Sequence, residues 1–233
     1  MHKLVLLLSV AVSPLVIATP ILGPGAWSSF GANPNNDHAP FWDRPSADGV
    51  RCNVGFFLAG NFGPCNNRKN GTPAAGLQLG ASDLEFYSLG GLLAPFQLAA
   101  GSYTFRLEGR IAGSNTFVIG YRTFGLDTPI FTQANQVGNT FQLTSTTDFS
   151  LYIRDGSHLF RSTNTLWPGV MAARQTSTGR LYFGFEDRPH GDRDYNDVVI
   201  SAVATPEPAT FALIGLALIF AGLFKRLGGA NGN

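Results

Sequence analysis

The feature that most constrains the fold of this chain is an alternation of apolar and polar residues in short segments. Within residues 102–108, Tyr103, Phe105 and Leu107 alternate with polar side chains, and residues 116–122 repeat the pattern. A period of two with one apolar face is typical of half-buried antiparallel β-strands, because successive side chains of a strand point to opposite faces. The pattern therefore predicts strands rather than helices.

The alternation continues toward the C-terminus, and clusters of turn-forming residues interrupt it. Apolar residues recur at alternate positions in 141–143 and 149–153. The clusters rich in Gly, Asn, Asp and Pro are residues 113–115, 125–129, 136–139 and 155–156. Short strands at this spacing predict an all-β domain, either an antiparallel β-sandwich or a jelly roll. The regular alternation of the phenylalanines favours core packing over a sugar-stacking surface.

The composition and the histidine contexts of the chain argue against two classes of function, nucleic-acid binding and catalysis. Charged residues make up 13% of the 233 residues, about half the usual share, and the net charge is +1. Without a basic patch the chain is not expected to bind nucleic acid. His38, His158 and His190 stand in unrelated contexts, with no nucleophile elbow or zinc motif around them. The sequence therefore predicts a protein that is not an enzyme.

The N-terminus has the pattern of an export signal. Lys3 precedes an apolar run that is too short to span a membrane, and Ala18 is a suitable residue for cleavage. We predict a helical signal peptide over residues 1–18. Residues 19–49 contain five prolines and are predicted to form an irregular arm, followed by one β-domain over residues 50–203.

Cys52 and Cys65 are the two cysteines of the chain. In an exported protein an even pair of cysteines is typical of a disulfide. A metal site would need more ligands, and a reactive thiol pair is usually closer in sequence. We therefore predict a structural disulfide that closes a small loop.

An acidic stretch lies between two segments that read as strands, residues 181–185 and 198–202. Hard oxygen ligands in this number favour Ca²⁺, whereas zinc prefers His and Cys. The alternative is a solvated polar turn, since Asp, Asn and Gly favour turns for local reasons. The candidate metal ligands are Glu186, Asp187, Asp192, Asp194, Asn196 and Asp197.

The same stretch matches only the first half of an EF-hand loop. Asp192, Asp194 and Asn196 have the required spacing. Asp197, however, stands at the position of the turn glycine, and Val203 at that of the bidentate glutamate. With strands on both sides, any calcium site here is predicted to be a β-loop site.

The C-terminus changes composition abruptly. Residues 211–224 are uncharged and apolar, and Lys225 and Arg226 follow them. A membrane span needs about 17–25 residues, which the segment reaches when residues 208–210 are added. The basic pair would remain on the cytoplasmic side. We predict an apolar transmembrane helix at this end.

This C-terminus resembles the PEP-CTERM sorting signal of exported proteins from Gram-negative bacteria that make exopolysaccharide. The resemblance rests on Pro206, Glu207 and Pro208, followed by the apolar segment and the basic pair. It covers residues 204–227 and leaves a tail at 228–233. It implies recognition by an exosortase, cleavage near the Pro-Glu-Pro, transient anchoring in the inner membrane, and transfer to the cell surface or beyond.

Residues 181–203 are also similar to a bacterial domain of unknown function. That family ends in Glu-Asp, a glycine-containing gap, and Gly-Asp-x-Asp-x-Asn-Asp before an apolar strand. Here Glu186-Asp187 and residues 191–197 carry the similarity. It implies a surface or matrix protein whose acidic signature binds calcium.

These observations predict a structural protein of the cell surface or extracellular matrix, associated with biofilm and exopolysaccharide, with a calcium-stabilised β-domain. The alternative is a lectin-like carbohydrate-binding module of the cell surface. In that case Trp27, Trp42 or Trp167 would stack on sugar rings.

Overall fold

The computed structural model describes residues 20–29, 53–59, 77–90, 92–110, 116–165, 169–187 and 195–205. Within these ranges the chain forms β-strands, one short α-helix and one turn of 3₁₀ helix. The elements are β1 (Ile21–Leu22), β2 (Ala26–Ser29), α1 (Val54–Ala59), the 3₁₀ turn (Ala81–Asp83), β3 (Leu84–Leu89), β4 (Leu92–Leu93), β5 (Gln97–Leu98), β6 (Gly101–Arg110), β7 (Phe117–Thr123), β8 (Leu126–Thr132), β9 (Thr140–Ser145), β10 (Ser150–Asp155), β11 (His158–Arg161), β12 (Val170–Gln175), β13 (Leu181–Phe185) and β14 (Val198–Thr205).

Two antiparallel sheets dominate the architecture. The larger sheet has the order β2-β3-β12-β13-β14-β6-β9, with β4 paired to β3, and the smaller has the order β11-β10-β7-β8. The two-residue strands β1 and β5 pair separately. The prediction of an all-β antiparallel sandwich is confirmed. The signal helix over residues 1–18, the apolar helix over 211–224, and both cysteines lie outside the described residues.

The main core fills the space between the two sheets. Tyr103, Phe105 and Leu107 of β6 lie in this core, as the alternation predicted. Phe149, at an isolated bridge to Leu98, contacts the ring of Tyr103 edge to face at 5.3 Å. The phenylalanine stripe is therefore core rather than exposed surface.

A second core covers the other face of the larger sheet. Helix α1 places Val54, Phe57 and Leu58 in this core, which also contains Tyr182 of β13 and Val199 of β14. As a consequence, every residue of β13 is buried. The central strands are thus covered on both faces, whereas the alternation alone predicts one covered face.

Two local predictions are corrected by the structure. The arm over residues 19–49 is not irregular throughout, because β1 and β2 lie within it and β2 pairs with β3. Prolines limit the length of these strands but leave neighbouring backbone groups able to pair. Residues 125–129 are not a turn cluster, because β8 begins at Leu126. Pro129 fits there because β8 is an edge strand, which tolerates a missing N–H donor.

Asp83 ties the start of β3 to the turn between β12 and β13. Its carboxylate accepts hydrogen bonds from the side chains of Gln175, Thr176 and Ser177, at 2.8, 2.6 and 2.6 Å, and from the Ser177 N–H at 2.8 Å. These bonds, the Ser177 hydroxyl first among them, hold the pKa of the Asp83 carboxyl well below its usual range.

We expect Asp83→Asn to lower the melting temperature at neutral pH and to flatten its dependence on acid. Because the folded pKa is depressed, the stabilisation is complete above the unfolded pKa of about 4 and is lost as pH falls through the folded value. Thermal melts of both proteins between pH 7 and 2 measure this. The gap between the two curves should narrow as pH falls below about 4, and a constant gap at every pH would contradict the assignment.

Candidate metal site

Neighbouring strands bring two parts of the acidic stretch together. In the pairing of β13 with β14, Phe185 lies opposite Val198. Glu186 and Asp187 follow β13 directly, and Asp197 directly precedes β14. The hairpin register therefore places these three carboxylates at the same end of two adjacent central strands.

The three carboxylates form a compact group. Glu186, Asp187 and Asp197 each offer a carboxylate oxygen, and these oxygens all lie within 4.8 Å of one another. The side chains of Glu186 and Asp187 are buried, with 6% and 4% of their surface exposed, and Asp197 is half-buried. The Asp187 N–H donates to Asp197 Oδ2 at 2.8 Å, and the Glu186 N–H donates to the Gly169 carbonyl at 3.0 Å.

Charge repulsion makes this group a candidate cation site. Carboxylates that are both close and removed from water repel one another strongly, and a bound cation or a proton relieves the repulsion. Three carboxylates provide up to six oxygen atoms, and Ca²⁺ takes six to eight oxygen ligands. The donor set thus matches the ligand preference of calcium.

Tyr195 fixes the backbone on the β14 side of the site. This residue has φ 53°, in the left-handed region, and its side chain is 3% exposed within the second core. Its carbonyl oxygen lies 2.3 Å from the position that a Cβ on Gly184 would take. In the pattern Gly-Asp-x-Asp-x-Asn-Asp, Tyr195 stands at a variable position, although an aromatic residue inside an acidic run is itself a signal of anchoring.

The structure places part of the predicted ligand set. It brings together Glu186, Asp187 and Asp197, and it buries Asn196, which is 1% exposed and directly precedes Asp197. Asp192 and Asp194 lie outside the described residues, and their role stays a prediction. The predicted disulfide and the predicted cleavage site lie outside them as well.

Trp27, the tryptophan that the structure describes, is engaged in packing. Its ring meets Tyr87 edge to face at 5.3 Å, and the guanidinium of Arg174 lies 4.6 Å from its centroid. Such contacts hold an aromatic ring in place and cover its face. Trp42 and Trp167 lie outside the described residues. His158 is exposed and stacks on Phe160, with a centroid distance of 6.5 Å.

Residues 204–226 match the family model of the PEP-CTERM protein-sorting motif. The chain carries a PEP-CTERM motif. The motif marks an exported protein that an exosortase processes, with a C-terminal membrane-anchoring sorting signal and a location at the cell surface. No curated protein and no solved structure matches the chain.

The PEP-CTERM motif begins inside the folded domain. Its first two residues, Ala204 and Thr205, are the last of β14 and pair with Tyr103 and Ser102 of β6. The Thr205 hydroxyl also donates to the Ser102 carbonyl at 3.0 Å. The β-domain therefore extends to the start of the sorting signal. No helix within the described ranges is long and apolar enough to cross a membrane, and residues 211–224 are outside those ranges.

Proposed function

We propose that this protein is a structural component of the extracellular matrix of a Gram-negative bacterium, with a β-domain that Ca²⁺ stabilises. The observation that carries the proposal is the group of three carboxylates at the β13–β14 connection, within 4.8 Å of one another. Export to the cell surface, which the PEP-CTERM motif implies, gives the site access to extracellular calcium. Association with biofilm and exopolysaccharide belongs to the same proposal.

The position of the site in the sheet supports a structural role for the ion. Strands β13 and β14 lie in the middle of the larger sheet, between β12 and β6. An ion held by Glu186 and Asp187 on one side and Asp197 on the other would crosslink these strands at one end. Because the ion binds the folded chain and not the unfolded chain, its binding free energy adds to stability.

Burial also favours a structural ion over acid–base chemistry. Glu186 and Asp187 are almost fully buried, and the Asp187 N–H holds Asp197 in place. A carboxylate that performs general acid or base catalysis must reach a proton of the substrate. We therefore propose a role without catalysis, in which the carboxylates bind the ion and close the hairpin.

Calcium is expected to raise the melting temperature of the full chain by roughly 5–10 °C relative to chelator. At a hundredfold excess over the dissociation constant, ligand binding contributes about 2.7 kcal/mol, and a domain of this size shifts by roughly 2–4 °C per kcal/mol. Differential scanning calorimetry with millimolar CaCl₂ or EDTA measures the shift. Equal midpoints in the two buffers would overturn the metal assignment.

A single substitution separates calcium binding from ordinary packing. Asp187→Asn removes one negative charge, so in EDTA the variant should be at least as stable as the parent, because repulsion among the carboxylates falls. In calcium it should lose most of the stabilisation. Asp155→Asn, at the last residue of β10, is the matched control and should keep the full calcium response. A uniform loss of stability in both buffers would assign Asp187 to packing alone.

A further inference from the structure

The hairpin between β7 and β8 presents an aromatic ring at an energetic cost. Thr123 pairs with Leu126, so Phe124 and Gly125 form a two-residue loop, with φ values of 48° and 82°. Two positive φ values define a type I′ turn, whose first position is normally Asn, Asp or Gly. A bulky residue in the left-handed region is strained, because its Cβ lies too close to the following carbonyl oxygen.

The Phe124 ring gains little stabilisation from packing that could offset this strain. The Phe124 side chain is 83% exposed, the highest exposure among the large apolar residues of the described ranges. Strained residues that gain no contacts from their own fold are found at ligand sites, where the strain positions a group for binding. Strain and exposure together therefore make the Phe124 ring a candidate contact for a ligand.

A polar groove lies beside the ring. It has a volume of about 380 Å³, which is in the size range of small-molecule sites. We call it the Phe124 groove; the lining residues used below are Arg122, Phe124, Asp148, Arg161 and Asn164. One aromatic surface next to charged and amide side chains matches the chemistry of a sugar, which has an apolar ring face and a rim of hydroxyls.

The charges around the groove favour an anionic ligand. Arg122, Arg154 and Arg161 converge on one carboxylate, Asp127, with nitrogen–oxygen distances of 2.7, 3.1 and 3.7 Å. Asp148 of the groove is a second carboxylate, so three guanidinium groups face two carboxylates and one positive charge is in excess. In a chain whose net charge is +1, this concentration of positive charge is local. It attracts a carboxylate, which arginine binds through paired, charge-assisted hydrogen bonds.

Arg161 has unused donor capacity. Its contact with Asp127 is the longest of the three, and its Nε is buried without a hydrogen-bond partner among the described residues. The Arg161 side chain is 28% exposed, so its terminal guanidinium nitrogens are accessible to a ligand carboxylate from the groove. Asp148 is fixed at the same groove, because its Oδ1 accepts the Ala100 N–H at 3.0 Å.

We propose that the Phe124 groove binds an acidic saccharide, a pyranose unit that carries a carboxylate. The apolar face of the ring stacks on Phe124, and the sugar carboxylate binds Arg161 and Arg122. Asp148 accepts hydrogen bonds from sugar hydroxyls, and Asn164 donates to or accepts from them. This site uses none of the residues of the candidate metal site, so the inference stands whether or not the domain binds calcium.

Isothermal titration calorimetry of the full chain tests the proposal, with tetragalacturonate as the probe and maltotetraose as the uncharged comparison. We expect binding of the acidic oligosaccharide and at least tenfold weaker binding of the neutral one. Arg161→Gln should weaken binding about tenfold. Leu126→Ala, which removes another exposed apolar side chain of the same hairpin, should leave the affinity unchanged.

Phe124→Asn distinguishes a binding role from a structural one. Asparagine tolerates the left-handed conformation, so this variant should be at least as stable as the parent while its affinity falls about tenfold. An unchanged affinity would overturn the proposal. Two other results would do so as well: equal affinity for the neutral oligosaccharide, or full competition by inorganic phosphate at equal concentration, which would indicate a simple anion site. Repeating the titration in EDTA should give the same affinity.

Discussion

Replacing Phe183 by alanine is expected to lower the free energy of unfolding by about 3–5 kcal/mol. Phe183 lies in the middle of β13, is fully buried in the core between the sheets, and stacks on Phe96 with a centroid distance of 5.7 Å. Removing the ring loses the free energy gained from burying it. It also leaves a cavity, because the two packed sheets cannot move together to fill it. Urea denaturation followed by circular dichroism measures the change.

The control for this substitution is Phe124→Ala. The Phe124 ring is 83% exposed, so its removal should change the free energy of unfolding by less than about 0.5 kcal/mol. Both variants lose the same atoms, and the difference between them reports burial alone. Similar losses in the two variants would contradict the placement of Phe183 in the main core.

The next residue of β13 tests the other face of the sheet and the candidate metal site together. We expect Gly184→Ala to cost about 3 kcal/mol, the upper part of the usual range for overpacking. A Cβ at this position would lie 2.3 Å from the Tyr195 carbonyl oxygen and 2.9 Å from both Met171 Sδ and Val54 Cγ2. The Tyr195 carbonyl belongs to the backbone, so relief requires moving the chain that leads to Asp197.

Because that movement displaces a candidate ligand, Gly184→Ala should also lose most of the calcium response. Gly156→Ala is the matched comparison: nothing lies within 4 Å of its Cβ position, and its φ of 54° alone costs about 1 kcal/mol. That variant should keep the full calcium response. Calorimetry of both variants with CaCl₂ and EDTA measures the two effects, and an intact calcium shift in Gly184→Ala would separate the glycine from the metal site.

Strand β13 also shows which features of the fold follow from local sequence and which do not. The alternation around Phe105 correctly predicted strands with one apolar face, because side-chain direction follows from local backbone geometry. It did not predict that β13 is buried on both faces. That depends on helix α1 and on the second core, which form through contacts between residues far apart in sequence.

Glu108 illustrates the same limit. Alternation assigns Glu108 to the polar face of β6, and its side chain does lie on the face of the larger sheet that points away from the main core. It is nevertheless only 1% exposed, with its carboxylate accepting from Ser201 Oγ at 2.6 Å and from Arg106 at 2.8 Å. A polar residue on a covered face must find partners, and the Ser201 partner is supplied by β14, from the end of the domain.

For the candidate metal site as well, the sequence specifies some features and the tertiary structure specifies others. The sequence identified the oxygen-rich stretch and excluded an EF-hand, because ligand type and spacing are local properties. The hairpin register selected Glu186, Asp187 and Asp197 as the carboxylates that meet, which spacing alone does not specify. No feature of the sequence indicates the Phe124 groove. Residues 125–129 have the composition of a turn, and the phenylalanines have the alternation that predicts core packing.

By itself the sequence determined what depends on local pattern: antiparallel strands, an acidic connection between two of them, and the PEP-CTERM motif at residues 204–226. A sorting signal is recognised as a linear segment, so its order of residues is sufficient. Tertiary structure alone decided which faces are covered, which carboxylates converge and which phenylalanine is exposed. Each of these depends on long-range strand pairing, which brings together side chains that no short stretch of the chain contains.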